Sequence, residues 1–371
     1  MSHPDSSLLL LASKQASRIE NFHFMRDNGL DIYNPDDTSR QLYLIDQPDI
    51  TKALADITKL LDEVLPKQRV RIGKRQETSR GQVIRMHNRN SEVIKACMQV
   101  QESQFDGYRI DPDVQAILEV NNEMGARHFA NMPLNFVVHG QAVHEHYKDY
   151  LDRLKARLST TSMKKFRCLQ LVEERRRFES IQKAADKAIQ LSKRACLVRV
   201  DGCYKQSFRA HVSPSVISND LDRLIGNMRH NKSQFAPLIQ AIFKIEYGAS
   251  KGYHWHGFFI YDGSMTCKDV LRGKYLLDYW CNVITHGKGS GYNVNGTAAK
   301  QQLARYVNVA VEDLALGQLK KTSLAQRINL IAVCRYLAKA RQLIRVSNEK
   351  RTRQLRIVRG PRFRHLIAKC Q

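Results

Sequence analysis

A histidine pair and one isolated acid are the residues of this chain best placed to do chemistry together. His254 and His256 flank Trp255 in YHWHGFFIYDG, a run rich in β-branched and aromatic residues that reads as a strand. Residues two apart on a strand point to the same face, so both imidazoles project together. The preceding run, LIQAIFKIEYG, reads as a second strand joined to the first through ASKG, and Glu246 is its only acid. A hairpin centred on Ser250 sets Glu246 opposite His254. A slip of two residues would set it opposite His256, on the same face; a slip of one would turn it towards Trp255 and break the set. Two nitrogens and one carboxylate leave positions open for phosphate oxygens and water, which suits a hard divalent ion, Mg2+ or Mn2+. A second such pair, His144-Glu145-His146, sits in AVHEHYKDYLDRL, a helical pattern. There, residues two apart diverge by about 200° around the axis, so no metal site is expected.

A tyrosine supplies the second half of a reaction. Tyr336 and Lys339 lie in INLIAVCRYLAKARQLIR, which reads as a helix. Positions three apart share a helix face, so phenol and ammonium are expected side by side. A tyrosine attacks phosphorus when its oxygen is aimed in line and its deprotonation is favoured, and a metal-polarised phosphate with a nearby Lys serves both ends. Tyr306, in QQLARYVNVAVED, is a second helical tyrosine without a Lys three residues on.

The elements that must position these residues form a pattern. ACLVRVDGCY reads as a strand, and Ser213-Pro214 opens a helix with Ser213 as N-cap. The hairpin follows, then a helix over KDVLRGKYLLDYWCNVIT, then a short strand within GKGSGYNVNG. The order β-α-β-β-α-β predicts an α+β, ferredoxin-like core. Two further helices are expected at about 299–313 and 323–345. Residues 1–40 are polar and expected to be flexible, and 41–192 reads as a mostly α-helical accessory region. Within it lie a helix over 51–65 stopped at Pro66, another over GQVIRMHNRNSEVIKACMQVQ, one with Asp111 as N-cap and Pro112 at its first position, and a long charged helix over 163–192. The catalytic core is expected at 193–345, and 346–371 reads as a basic tail, with a strand over RQLRIVRG that buttresses the sheet and buries Leu355, Ile357 and Val358 as the alternative.

Together these residues carry a resemblance. Glu246, His254-Trp255-His256 with Phe258-Phe259 beyond, and Tyr336-x-x-Lys339 on a later helix resemble the HUH endonucleases of rolling-circle replication. Within that superfamily, LVRVDGCY, KIEYGASKGYHWHGFFIYDG, YWCNVITHGKGSGYNVN and YLAKARQ are similar to the inovirus-type replication proteins of filamentous phages and prophages, the YagK/YfjJ C-terminal domain family. The resemblance implies Glu246, His254 and His256 as ligands of Mg2+ or Mn2+, Tyr336 as nucleophile and Lys339 as its helper. It implies a nickase that leaves a 5′-phosphotyrosine and a 3′-OH primer, acting on single-stranded or supercoiled origin DNA beside a host helicase and polymerase in the bacterial cytoplasm. Arg335, Arg341, Arg345 and Lys251 are the expected DNA contacts, with Tyr247 and Tyr292 as candidate stacking platforms. No GxxxxGK[ST] run is present, so the helicase is expected from the host.

Composition supports a polyanion partner. The chain has 371 residues, a prior of two or three domains, and a net charge of +24. Residues 1–150 carry a net −3, residues 151–190 +6, and residues 191–371 +21. A field of that size attracts nucleic acid. No window reaches the roughly 18 apolar residues of a membrane span, and no export signal is read. The eight cysteines show no CxxC spacing and read as reduced thiols. One alternative is a ferredoxin-like nucleic-acid-binding protein that does not cut. Another is a non-haem iron oxygenase with a two-His, one-carboxylate triad; the charge field and the position of Glu246 before the histidines argue against it.

Overall fold

Long buried runs of β-branched and aromatic residues make the central strands. ACLVRVDGCY folds as β1 (Ala195–Tyr204), LIQAIFKIEYG as β2 (Leu238–Gly248) and GYHWHGFFIYD as β3 (Gly252–Asp262). Short strands β4 (Gly289–Asn293), β5 (Gly317–Leu319) and β6 (Leu355–Arg359) complete the sheet. This computed structural model describes residues 10–19, 48–66, 73–78, 81–86, 88–230, 235–248, 251–339, 342–346 and 353–368. The strand order is β5-β1-β3-β2-β6, with β4 also on β1, and every pairing is antiparallel. The chain is therefore α+β with an antiparallel sheet.

Helix α1 (Pro214–His230) lies between β1 and β2 in sequence, and Ser213 Oγ accepts from Val216 N at 3.3 Å at its start. Helix α2 (Asp269–Asp278) follows β3 and runs on as a wider π-type turn to Ile284. Then come α3 (Thr297–Val307), α4 (Leu324–Ala338) and α5 (Pro361–Ala368).

Alternation divides the sheet into two faces. Leu197, Ile242, Phe258 and Ile260 pack with Ala185, Leu303, Leu330, Val333 and Leu337, so α3, α4 and the end of a long helix (Thr161–Leu191) cover the face that carries the histidines. The opposite face holds Trp255, whose ring meets Trp280 edge-on at 5.3 Å, and Tyr204, which donates to Asp220 of α1 at 2.7 Å. Trp255 needs room at Gly202, its cross-strand partner on β1: a Cβ there would lie 2.3 Å from the indole.

The chain divides into two compact units. Residues 1–44, 171–340 and 349–371 form the sheet unit; residues 45–170 and 341–348 form the other. The division thus falls inside the long helix rather than at 192/193. The second unit is mostly helical, with Ile57, Leu60, Ile94, Ile117, Tyr147 and Leu154 buried. Asp111 Oδ1 accepts from Asp113 N at 3.0 Å, the N-cap read from the sequence. Ile344–Val346 pairs with Tyr108–Ile110, which is why that stretch joins this unit. Among the described residues, no helix is long and apolar enough to cross a membrane, and the described cysteines are free thiols.

Four expectations need correction. The run 81–101 is not one helix: Gly81–Met86 is a strand paired with Gly73–Thr78, and the helix starts at Asn88. Within the N-terminal segment, 10–19 is helical, and Ile19 packs into the sheet unit's core. The last two helices of the core are shorter than expected, ending at Val307 and Ala338. The basic tail is a structural element: Leu355–Arg359 pairs with β2, Val358 is buried, and Phe363 of α5 enters the core. Alternation sets Leu355 and Ile357 against the core and Arg356 on the other face, where it reaches Asp222 and Ser218 of α1.

Candidate metal centre

The hairpin register is the one that brings the ligands together. Glu246 pairs with His254, and Lys244 pairs with His256. On the other side of β3, Asp201 of β1 pairs with His256. His256 Nε2 lies 3.1 Å from Glu246 Oε2, and His254 Nε2 lies 3.9 Å from the same oxygen. One ligand atom from each of Glu246, His254 and His256 falls within 4.8 Å of the others, the one such group among the described residues. Adjacent ligands of an octahedral ion at about 2.1 Å stand about 3 Å apart and opposite ones about 4.2 Å, so small side-chain movements would close the set on a cation.

Backbone and carboxylate contacts fix both imidazoles. His254 Nδ1 donates to Gly252 O at 3.0 Å, leaving Nε2 as the lone-pair nitrogen beside Glu246. His256 Nδ1 faces Asp201 Oδ1 at 2.8 Å, the carboxylate–histidine arrangement that orients a metal-binding ring. His256 is fully buried, and burial alone would lower its pKa; Asp201 and Glu246 overcome that and push it up to about 9. Burial would likewise raise the Glu246 carboxyl, but the Lys244 ammonium and the histidines hold it well below the usual range. Lys244 Nζ forms an ion pair with Glu246 Oε1.

Tyr336 belongs to this cluster. It is 3% exposed, and its ring stands 5.4 Å from that of His256. Two buried cations flank the ring: Lys244 Nζ at 5.2 Å and Arg199 Cζ at 5.1 Å from its centroid. Tyr306, the rival, lies on α3 and is 36% exposed. Lys339 does not share a helix face with Tyr336. Helix α4 ends at Ala338, and Lys339 leaves it with φ −54 and ψ 127, so the three-residue spacing loses its helical meaning. The ammonium on the Tyr336 ring is that of Lys244.

The expected DNA contacts are dispersed. Lys251 is buried at 5% exposure and is not an open surface cation. Arg335 stacks its guanidinium on Phe178 at 4.7 Å, and burial lowers its pKa. Arg345 lies in the strand paired with Tyr108–Ile110, in the other unit, and Arg341 lies outside the described residues. Tyr247 meets Tyr253 edge-on at 4.8 Å, and Tyr292 packs against the core. The second histidine pair is structural: His144 Nδ1 and His146 Nε2 lie 3.3 and 3.2 Å from the carbonyls of Leu134 and Val138, and His146 stacks on Phe129.

The cluster also holds Asp201, Lys244 and Arg199, which sequence reasoning misses. Their one sequence signal is charge inside otherwise apolar strands, at Arg199 and Asp201 in LVRVDG and at Lys244 in IFKIE. A search of family models, of curated proteins and of solved structures finds no match for this chain.

Proposed function

We propose that the sheet unit is a ferredoxin-like HUH-type nuclease core, and that the protein is a rolling-circle initiator that nicks one DNA strand through Tyr336. The observation that carries this reading is the Tyr336 ring, 5.4 Å from His256, packed at a Glu246/His254/His256 set able to hold a cation. The strand order β4-β1-β3-β2, with α1 and α2 on the face away from the histidines, supports the fold assignment. Charge supports the substrate class. Asp201 and Glu246 are balanced by Lys244 and Arg199, so a bound divalent ion leaves the cluster with an excess of positive charge. A phosphodiester answers that excess.

Glu246, His254 and His256 would hold Mg2+ or Mn2+, and such an ion would withdraw charge from the scissile phosphate. Tyr336 Oη attacks phosphorus, the P–O3′ bond breaks, and the phenolic proton is balanced by the one the leaving oxygen takes up as 3′-OH. The enzyme keeps the 5′-phosphate as a tyrosine ester. That ester conserves the energy of the broken bond, so the reverse reaction rejoins a strand. The DNA partner, the host helicase and polymerase and a cytoplasmic site of action belong to the same proposal.

The test is incubation with a labelled single-stranded oligonucleotide library and Mn2+, then a denaturing gel and mapping of the labelled peptide. Tyr336→Phe should abolish the covalent band, and Tyr306→Phe should keep it. An adduct on Tyr306 would overturn the assignment, and DNA binding without any adduct would favour the non-cutting binder.

A further inference from the structure

One buried ammonium touches both halves of the proposed reaction. Lys244 stands on β2 two residues before Glu246, on the same face, with 4% of its surface exposed. Its Nζ forms the ion pair with Glu246 Oε1 and donates to the Tyr336 carbonyl at 3.2 Å. That carbonyl is in the last turn of α4, where it also accepts from Lys339 N at 3.3 Å and the helix dipole favours a cation. The same Nζ lies 5.2 Å from the Tyr336 ring centroid. Sheet and helix are thus joined at the carboxylate that binds a metal and at the residue that attacks.

We propose that Lys244 is a positioning residue with two opposed effects: it locks Tyr336 in line with the metal ligands, and it competes with the cation for Glu246. The inference rests on the nickase reading and extends it. Burying an ammonium is costly unless it is paired, so Lys244 holds its partners tightly. Its charge beside Glu246 opposes a second cation there, as like charges do. A side chain without charge removes the competitor and the lock together. Metal binding and catalysis then move in opposite directions, whereas loss of packing alone would lower both.

The experiment compares the full chain with Lys244→Met and Lys244→Gln. Gln is uncharged and one bond shorter, so it falls short of the Tyr336 carbonyl, and it serves if Met does not fold. Mn2+ affinity, read by electron paramagnetic resonance without DNA, should tighten by about tenfold in the neutral variants, the size of a neighbouring-charge effect of one pKa unit. Adduct formation at saturating Mn2+ should fall by about a hundredfold, as expected for a misplaced nucleophile. Unchanged or weaker Mn2+ binding, or a wild-type adduct rate at saturating Mn2+, would overturn the proposal. The Mn2+ arm uses no DNA, so it decides the role of Lys244 even if the wild-type chain forms no adduct, a result that would overturn the nickase reading alone.

Discussion

His256 carries the site's most demanding electrostatics. It is fully buried between two carboxylates, Asp201 on one ring nitrogen and Glu246 on the other. With Asp201 at Nδ1, a cation would meet Nε2, the nitrogen beside Glu246. Asp201→Asn keeps the shape and removes the charge, and an amide can present its NH2 to Nδ1, so the ring loses its preferred tautomer. Metal affinity should fall by roughly 10–100-fold, the usual effect of losing such an outer partner. A Mn2+ titration checks it, and unchanged affinity would show Asp201 to be a packing residue. His144→Ala, by contrast, should leave metal binding alone, because that ring bonds to a backbone carbonyl.

The elements show why the C-terminal stretch is part of the fold. Beyond β6, Gly360 N donates to Ile239 O, and Arg362 of α5 reaches back to Asp262 at the end of β3. Asp262 Oδ2 accepts from Arg362 Nε at 2.9 Å, and Oδ1 from Ser264 N and Oγ. Burial would raise this carboxyl, but Ser264 and Arg362 hold it below its ordinary value. A depressed carboxyl stabilises fully above its unfolded pKa of about 4, and the contribution is lost as pH falls through the lower folded value. Asp262→Asn should therefore cost on the order of 1 kcal/mol near pH 7, and less near pH 2. Thermal melts at both pH values measure it; an equal loss at the two would mean that the ion pair contributes nothing. The strands that hold Glu246, His254 and His256 were legible because their runs are rich in β-branched and aromatic residues and the turn between them is short. β6 was legible only as the alternative to a basic tail, because Arg353, Arg356 and Arg359 outweigh Leu355, Ile357 and Val358 in a charge count. The end of α4 was not, because neither Gly nor Pro follows Ala338 to mark it. Lys244 was invisible because a lysine in a buried strand has meaning only when its cross-sheet partners are known.

At the scale of the whole molecule, charge is the dominant feature. The net +21 of residues 191–371 falls almost wholly in the sheet unit. Single-stranded DNA should bind with log affinity falling linearly against log salt, with a slope of about 0.7 for each phosphate neutralised. Binding at several salt concentrations measures that slope, and a flat line would remove nucleic acid as the partner. The placement of the aromatic residues has its own consequence. The chain has 2 tryptophans, both in the sheet unit and in contact with each other, and one of them is the residue between His254 and His256. The protein's tryptophan fluorescence therefore comes from one spot, just behind the candidate metal site. Mn2+ is paramagnetic and should quench that emission as it binds, whereas Mg2+ should compete without quenching. The site thus carries its own optical reporter, and His254→Ala or Glu246→Ala should silence the response while leaving the emission itself in place.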